Sequence, residues 1–216
     1  MTKAKFSQIK KYFSKNPAKK IAKGTIIFKP GDKINNVYFI NSGFVRIYTK
    51  TGNTENTLNI FKPLFLMSYI YYMTKDYNNF YFEAITPMDV RISPEKDFNQ
   101  FLSKNPEFSA LIMEFFLSSL LRYISNQGNI INGNAVTKIT SVLYQLTSEY
   151  GETKNNKLIV NFPATHRIIA NMVGLTRETT SVQMSKLQKQ GIISTKRSQF
   201  IVHDLNKLKL LSELPN

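Results

Sequence analysis

The sequence contains no cysteine. Disulfide bonds, thiolate-bound metal ions and cysteine-ligated iron–sulfur clusters are therefore excluded. No apolar run approaches the roughly eighteen residues of a membrane-spanning helix. Lysines interrupt the N-terminal segment in which a secretion signal would have its apolar core. These absences predict a cytoplasmic protein that has no membrane partner.

Histidine is almost as scarce, since the chain has only His166 and His203, both in its C-terminal part. Histidine ligation of haem or of another metal in the N-terminal part is therefore excluded. That part also lacks a glycine-rich phosphate loop. Without these groups or a cysteine nucleophile, the chain is not expected to be an enzyme, and we expect neither a metal nor a cofactor.

The positive charge is large and uneven. The chain has 29 lysines and arginines against 14 acidic residues, and its pI is near 9.8. Residues 1–33 carry ten lysines and one acidic residue, residues 34–134 are neutral on balance, and residues 135–216 carry eleven basic and five acidic residues. A basic C-terminal third suits duplex DNA, because affinity for DNA rests largely on neutralising phosphates. Charge alone is weak support, since lysine-rich surfaces are often only solvated.

The N-terminal part of the chain alternates short β-rich segments with turns, which predicts a sandwich or barrel. The predicted strands are residues 25–28, 37–40, 44–48 and 57–61. Before them, lysines alternate with Phe6, Ile9 and Phe13 at helical spacing, so residues 5–15 are predicted to form an amphipathic helix. Its lysines form either a solvated face or a contact with nucleic acid or a membrane surface.

The segment from Phe61 to Ile85 is unusually aromatic, because nine of its 25 residues are Phe or Tyr. Such a density predicts either an apolar effector pocket with phenolic hydrogen-bond donors or a filled core that binds no ligand. The residues proposed to line the pocket are Tyr69, Tyr72, Phe80 and Phe82.

A long helix is predicted to start at Pro106, after a short one at 97–102. Six of its residues follow one another at spacings of 4, 3, 4, 3 and 4, which is a heptad seam and favours a dimer. These residues are Met113, Leu117, Leu120, Ile124, Gln127 and Ile131. The alternative is a helix buried on all sides within one chain. Phe108, Leu111, Phe115 and Leu121 lie partly on another face, suited to packing against the N-terminal domain, and Gly128 and residues 132–134 are predicted to mark a hinge.

Residues 162–192 read as two short helices joined by a tight turn. Gly174 closes the first helix and Thr176 caps the second, which buries Val182 or Met184 together with Leu187. In a helix-turn-helix, the N-terminal side chains of the second helix lie against base edges in the major groove of DNA. A helix pair that never touches DNA is the alternative.

The flanking segments predict a winged helix-turn-helix. A helix is expected over 136–150, followed by a polar loop over 152–157 and a strand over 158–160. Residues 192–194 and 199–202 are expected to form the hairpin of the wing, with Lys196 and Arg197 placed at its tip to meet phosphate.

Two sets of residues resemble one protein family. Thr176-Arg177-Glu178-Thr179, after Val173-Gly174-Leu175, resembles the recognition segment of the Crp/Fnr family of bacterial transcription regulators. Pro30-Gly31-Asp32, Tyr38-Phe39-Ile40 and Gly43-Phe44-Val45-Arg46-Ile47 look like the opening of a cyclic-nucleotide-binding-type β-roll. The resemblance implies an α+β fold. Its parts are a double-stranded, jelly-roll-like β-roll sensor domain (1–105), a dimerisation helix and hinge (106–133) and a winged helix-turn-helix (134–216).

The family resemblance implies a homodimeric transcription regulator that binds a two-fold symmetric operator, with half-sites about 34 Å apart. Its partners would be double-stranded DNA and RNA polymerase, the latter through the loop at 152–157 unless that loop is only a solvated turn. The regulator is either gated by an unidentified effector or constitutive. A cupin-like small-molecule binder or enzyme is the alternative from another class.

Site residues also follow from the resemblance. Arg177 is expected to read a guanine and Glu178 a cytosine, and Ser181 to contact a base or a phosphate. Relatives usually have an arginine after the Ser181 position, where this chain has Val182, so the exact half-site is not predicted. The phosphate-contact candidates are Thr165, His166, Arg167, Thr176, Lys196 and Arg197.

The chain departs from the family where cyclic-nucleotide sensors hold their ligand. Those sensors carry a Gly-Glu pair for the ribose and, several residues on, an Arg-Ser or Arg-Thr for the phosphate. Residues 62–83 contain neither, and Asn78-Asn79-Phe80 stands near the expected Arg-Ser. Because a buried phosphate needs a compensating cation, the sequence predicts that cyclic nucleotides do not bind.

Overall fold

A computed structural model of the chain describes residues 3–74, 77–155, 157–196 and 199–213. The chain is divided into two compact units, Met1–Ser118 and Ser119–Asn216. The elements of the first unit are α1 (Lys3–Ser14), β1 (Ala18–Ile21), β2 (Ile26–Phe28), β3 (Asn36–Ser42), β4 (Val45–Thr51), β5 (Thr54–Phe61), β6 (Leu66–Met67), α2 (Tyr69–Thr74), β7 (Tyr81–Ala84), β8 (Met88–Pro94) and α3 (Glu95–Lys104), and α4 (Pro106–Asn132) continues into the second unit.

The described strands of the first unit form two antiparallel sheets, in the orders β1-β8-β3-β6 and β2-β7-β4-β5. Side chains alternate across a strand, so the neighbours Phe39 and Ile40 on β3 enter different cores. Ile40 packs with residues from both sheets, including Val45 and Phe82, and this cluster fills the space between the sheets. Phe39 packs with residues of α1, α3 and α4. The four predicted strands are confirmed as β2 to β5, with ends that differ by up to three residues.

Helix α1 confirms the predicted amphipathic helix. Ile9 and Phe13 are fully buried, and the Phe13 ring stacks on Phe39 with ring centroids 5.0 Å apart. Lys10 and Lys11 lie on the exposed side. The side chain of Phe6 lies outside the described residues.

Helix α4 begins at Pro106, as predicted, and Gly128 does not interrupt it. Its Phe108 and Leu111 are buried in the cluster that also contains Phe39. Leu121 is 66% exposed, so its predicted packing against the β-roll was wrong. The α-helical repeat of 3.6 residues carries Leu121 to the other side of the helix, next to Leu117. Ile112, which the prediction did not include, is buried in the same cluster as Phe108 and Leu111. In the described part of the chain, no helix is both long and apolar enough to cross a bilayer.

The second unit is built around a helix-turn-helix and a small sheet. Its elements are α5 (Ala135–Tyr150), β9 (Gly151–Lys154), β10 (Lys157–Val160), α6 (His166–Val173), α7 (Arg177–Lys189), β11 (Ile193–Lys196), β12 (Gln199–Val202) and α8 (Leu205–Ser212). The sheet has the strand order β11-β12-β10-β9. The predicted wing hairpin is confirmed as β11 and β12.

The predicted loop at 152–157 was partly wrong, because residues up to Lys154 form strand β9, which pairs with β10. Asn155 lies at the turn with φ +50°, a left-handed conformation that asparagine tolerates better than most residues. Strand β9 is an exposed polar strand at the edge of the sheet, so its sequence lacks the apolar alternation by which strands are recognised.

Candidate nucleic-acid interface

Local capping fixes both helices of the helix-turn-helix. The Thr165 hydroxyl accepts a hydrogen bond from the backbone N–H of Ile168 at 3.2 Å and so caps α6. At the other end, Gly174 has φ +65°, the left-handed conformation that ends many helices. The Thr176 hydroxyl accepts from the N–H of Thr179 at 3.1 Å and caps α7. The caps predicted at Gly174 and Thr176 are confirmed.

Packing decides which face of α7 is free. Thr180, Met184 and Leu187 are buried, and α5 packs against both α6 and α7. Met184 therefore takes the core position for which Val182 was the alternative, and Val182 is 53% exposed. Since the buried residues recur at i, i+4 and i+7, the opposite side of the helix is left to solvent.

Arg177 and Glu178 are exposed in the first turn of α7, and Ser181 is partly buried one turn further on. Three further residues along the helix, which were not predicted, are also exposed. They are Ser185, Lys186 and Lys189. Their spacing from Glu178 would have placed Ser185 and Lys189 on its face, because residues 3, 4, 7 and 11 apart share one side of an α-helix. We call the exposed residues Arg177, Glu178, Val182, Ser185, Lys186 and Lys189, with Ser181, the recognition face.

An open groove of about 710 Å³ lies beside the N-terminal end of α7. Among the described residues, its lining contains two guanidinium groups, Arg167 and Arg177, and no carboxylate. The described residues that line it are Ala164, Thr165, His166, Arg167, Ala170, Asn171, Arg177 and Thr195. Four predicted site residues thus lie together in the groove, namely Thr165, His166, Arg167 and Arg177. Asn171 and Thr195 also line it, and they were not predicted because residues far apart in the sequence meet there only through the fold.

Of the remaining phosphate candidates, the structure describes Thr176 and Lys196. The Thr176 hydroxyl is engaged in capping and donates to the Thr179 hydroxyl at 2.9 Å. Lys196 is exposed at the end of β11, where it pairs with Gln199 in the wing. Arg197 lies outside the described residues.

Three of the four proposed effector-pocket residues, Tyr69, Phe80 and Phe82, lie in or against packed clusters. Tyr69 is buried in the core next to α1 and α3, with its ring centroid 5.2 Å from that of Phe98. Phe82 is buried between the sheets, 5.4 Å from Phe28 in an edge-to-face arrangement, and Phe80 is partly buried beside it. The side chain of Tyr72 lies outside the described residues. The placement favours the alternative of a filled core.

The arginines of the β-roll are already engaged. Arg46 is 8% exposed, and its Nη2 atom lies 2.6 Å from a Glu55 oxygen, while Glu83 holds the same guanidinium from another strand. Arg91 donates to the carbonyl of Asn16 at 2.6 Å. Both carboxylates compensate the charge of Arg46, so it carries no surplus charge for a phosphate.

Asn78, near the position of the family's phosphate-binding arginine, closes a turn. It is buried, its Nδ2 donates to the carbonyls of Lys29 and Phe80 at 2.7 Å each, and its Oδ1 accepts from the N–H of Phe80 at 3.1 Å. Its amide is therefore satisfied by the backbone, as buried polar groups require.

The predicted seam on α4 is exposed. Its apolar members are between 43% and 69% exposed, and Gln127 is partly buried. The alternative of a helix buried on all sides within one chain was therefore wrong. A run of exposed apolar side chains on one helix is typical of a surface that another chain covers.

Comparisons with known proteins agree with this architecture. The model of the Crp-like helix-turn-helix domain matches residues 137–211, and the model of the cyclic nucleotide-binding domain matches residues 18–105. The anaerobic regulatory protein of Pasteurella multocida is 28% identical to the chain over 199 residues, which are 90% of this chain and 71% of that protein. The global nitrogen regulator of a Nostoc species is 24% identical over 182 residues, 82% of this chain and 81% of that protein.

Solved structures share the fold. FixK2 from Bradyrhizobium japonicum matches with a TM-score of 0.78 at 17% sequence identity, covering 93% of this chain and 99% of that one. Together with the two domain models, this confirms the predicted α+β fold, a β-roll followed by a winged helix-turn-helix.

Proposed function

The chain belongs to the Crp/Fnr family of bacterial transcription regulators, and from this premise we propose that it acts as a homodimer whose two α7 helices read a two-fold symmetric operator. The observation that carries the proposal is the recognition face of α7, which presents polar side chains to solvent directly beside a groove lined by two arginines. In a helix-turn-helix this face enters the major groove.

Each predicted contact has a chemical reason. The guanidinium of Arg177 donates two hydrogen bonds to the O6 and N7 atoms of a guanine, and the carboxylate of Glu178 accepts one from the N4 amino group of a cytosine. Ser181 offers a hydroxyl to a base or a phosphate. The backbone N–H groups at the start of α6 bind phosphate, together with the side chains of Thr165, His166, Arg167 and Thr176. From the wing, phosphate is contacted by Lys196 and Arg197.

The exposed apolar residues of the seam on α4 support the proposed dimer. Two copies related by a two-fold axis would cover each other's seams and bury residues that one chain leaves in water. The same symmetry would present two recognition faces to half-sites about one DNA turn, roughly 34 Å, apart.

Selection of random duplexes by the full chain, followed by measurement of binding at several salt concentrations, tests the proposal. We expect an enriched sequence with inverted half-sites and an affinity that falls steeply with salt. Binding without any sequence preference would reject the recognition role of α7 and favour a purely electrostatic contact. The same experiment separates this function from the cupin-like alternative, which predicts no preference among duplexes.

Two further partners belong to the proposal. The β9–β10 hairpin exposes a polar edge, with Glu152 and Lys154 forming an exposed ion pair at 2.7 Å, and this edge is the proposed contact with RNA polymerase. If an effector controls the regulator, we propose that this effector is chemically different from a cyclic nucleotide.

We expect neither cyclic AMP nor cyclic GMP to bind. Arg46 is already neutralised by Glu55 and Glu83, and Asn78 is saturated by backbone partners, so nothing in these contacts offers a free cation to a buried cyclic phosphate. Isothermal titration calorimetry on protein that binds its selected operator should show no binding heat with either nucleotide. Saturable binding in the micromolar range would contradict the prediction.

A further inference from the structure

Val182 is the apolar member of an otherwise polar recognition face. It is 53% exposed, and the nearest residues on its side of α7, one turn before and one turn after it, are the exposed Glu178 and Lys186. The core of the helix-turn-helix does not use it, because Met184 is completely buried in the core position. A single exposed valine is ordinary on a protein surface, but this one lies on the face that the proposed function places in the major groove.

The chemistry of the base edges limits what an exposed valine can favour there. Valine has no hydrogen-bond donor or acceptor. In the major groove, the C5-methyl group of thymine is the apolar feature of the base edges, and the other groups are donors or acceptors. A valine pressed against a polar edge displaces water without replacing its hydrogen bonds, which is unfavourable. Contact with the thymine methyl instead buries apolar surface on both partners.

We infer that Val182 is a specificity-determining residue that reads a thymine in each half-site through its C5-methyl group. The inference rests on the proposed entry of α7 into the major groove. In relatives, an arginine at this position implies a contact with guanine. Val182 makes an apolar contact instead, so this chain is expected to recognise a half-site that differs from theirs at one base pair.

The position of the thymine follows from the helix. Val182 lies four residues after Glu178, just over one turn and about 6 Å along α7. Successive base pairs are separated by about 3.4 Å. The thymine is therefore expected within about two base pairs of the pair whose cytosine Glu178 contacts.

Uracil isolates the proposed contact, because it differs from thymine only by lacking the methyl group. Each thymine of the selected operator would be replaced by uracil in turn, and the affinity of the full chain measured at fixed salt concentration. We expect one position per half-site at which affinity falls about fourfold, the cost of losing one buried methyl-sized apolar contact. Replacement in both half-sites should lower affinity about fifteenfold, since distant sites add.

Variants connect that position to the side chain. Val182→Ala should bind the thymine operator more weakly and lose the uracil effect, while alanine's high helix propensity keeps α7 intact. Leu210→Ala, which shortens a 70% exposed leucine on α8, should keep the full uracil effect. Val182→Arg should shift the selected base at this position from thymine to guanine, because arginine recognises the guanine edge.

The outcomes separate the two claims. If the selected operator is bound with sequence preference but no uracil position depends on Val182, the inference is wrong and the proposed function stands. If the chain selects no sequence at all, the proposed function fails, and the inference fails with it.

Discussion

Leu120→Lys should leave the chain monomeric and abolish binding to the two-fold operator. Leu120 lies in the middle of the seam on α4 and is 53% exposed in the single chain, so the substitution should not disturb the fold of the protomer. In the proposed dimer, the seam residues face their counterparts across the two-fold axis. The substitution would bury two ammonium groups near each other without a partner, and each such charge costs several kcal/mol.

Analytical ultracentrifugation at micromolar concentration measures the change directly, and an operator titration measures its consequence. Leu210→Lys is the matched control, because it places the same charge on an exposed leucine outside α4, and it should keep the wild-type dimer. Operator binding would be lost in Leu120→Lys because a monomer reaches only one half-site and loses the second as an intramolecular contact. An unchanged sedimentation coefficient for Leu120→Lys would reject the seam.

Much of the helix-turn-helix could be predicted because its signals are local. A glycine in the left-handed conformation at 174 and a hydroxyl cap at Thr176 define the turn within three residues. Spacing alone favours Met184 over Val182, because Met184 lies three residues before Leu187 and Val182 lies five residues before it. Packing against α5 and α6 leaves Met184 completely buried and Val182 exposed.

Two of the strands that were not predicted, β1 and β9, have polar patterns, whereas β8 has the regular alternation Met88-Asp-Val-Arg-Ile92 and was overlooked. Strand β1 has the sequence Ala-Lys-Lys-Ile with only Ile21 buried, and it lies at the edge of its sheet. Lysine on an edge strand blocks further strand pairing, but it also removes the alternation that identifies a strand. Strand β9 was missed for the same reason.

The candidate site was predictable where it lies on one helix and not where it joins several. Arg177 and Glu178 follow the cap of α7, so their exposure follows from helical periodicity. The groove beside them also uses Asn171 and Thr195, which are 24 residues apart in the sequence and meet only through the fold. Whether the aromatic segment at 61–85 lines an effector pocket or fills a core also depends on packing, because the density of aromatic residues is compatible with both.

Arg177→Ala should weaken binding to the selected operator by about 1–3 kcal/mol per half-site and relax the preference at one base pair. Arg177 is exposed at the start of α7 and lines the groove shared with Arg167, so its loss removes a base contact without leaving a buried group unpaired. The preference is relaxed because Arg177 no longer donates two hydrogen bonds to guanine. Guanine then has no advantage over other bases at that position.

Lys196→Ala is the matched comparison, because Lys196 is an exposed cation in the same unit but lies on the wing, where phosphate contact is proposed. Its loss should weaken all sequences about equally and reduce the slope of log affinity against log salt by about one unit. Selection from random duplexes with wild type and both variants distinguishes the two roles. If Arg177→Ala keeps the full wild-type preference, α7 does not read bases through its first turn. If Lys196→Ala changes the preferred base instead, the wing carries specificity that the geometry assigns to α7, because a side chain that touches only phosphate changes the affinity for all duplexes without changing their order.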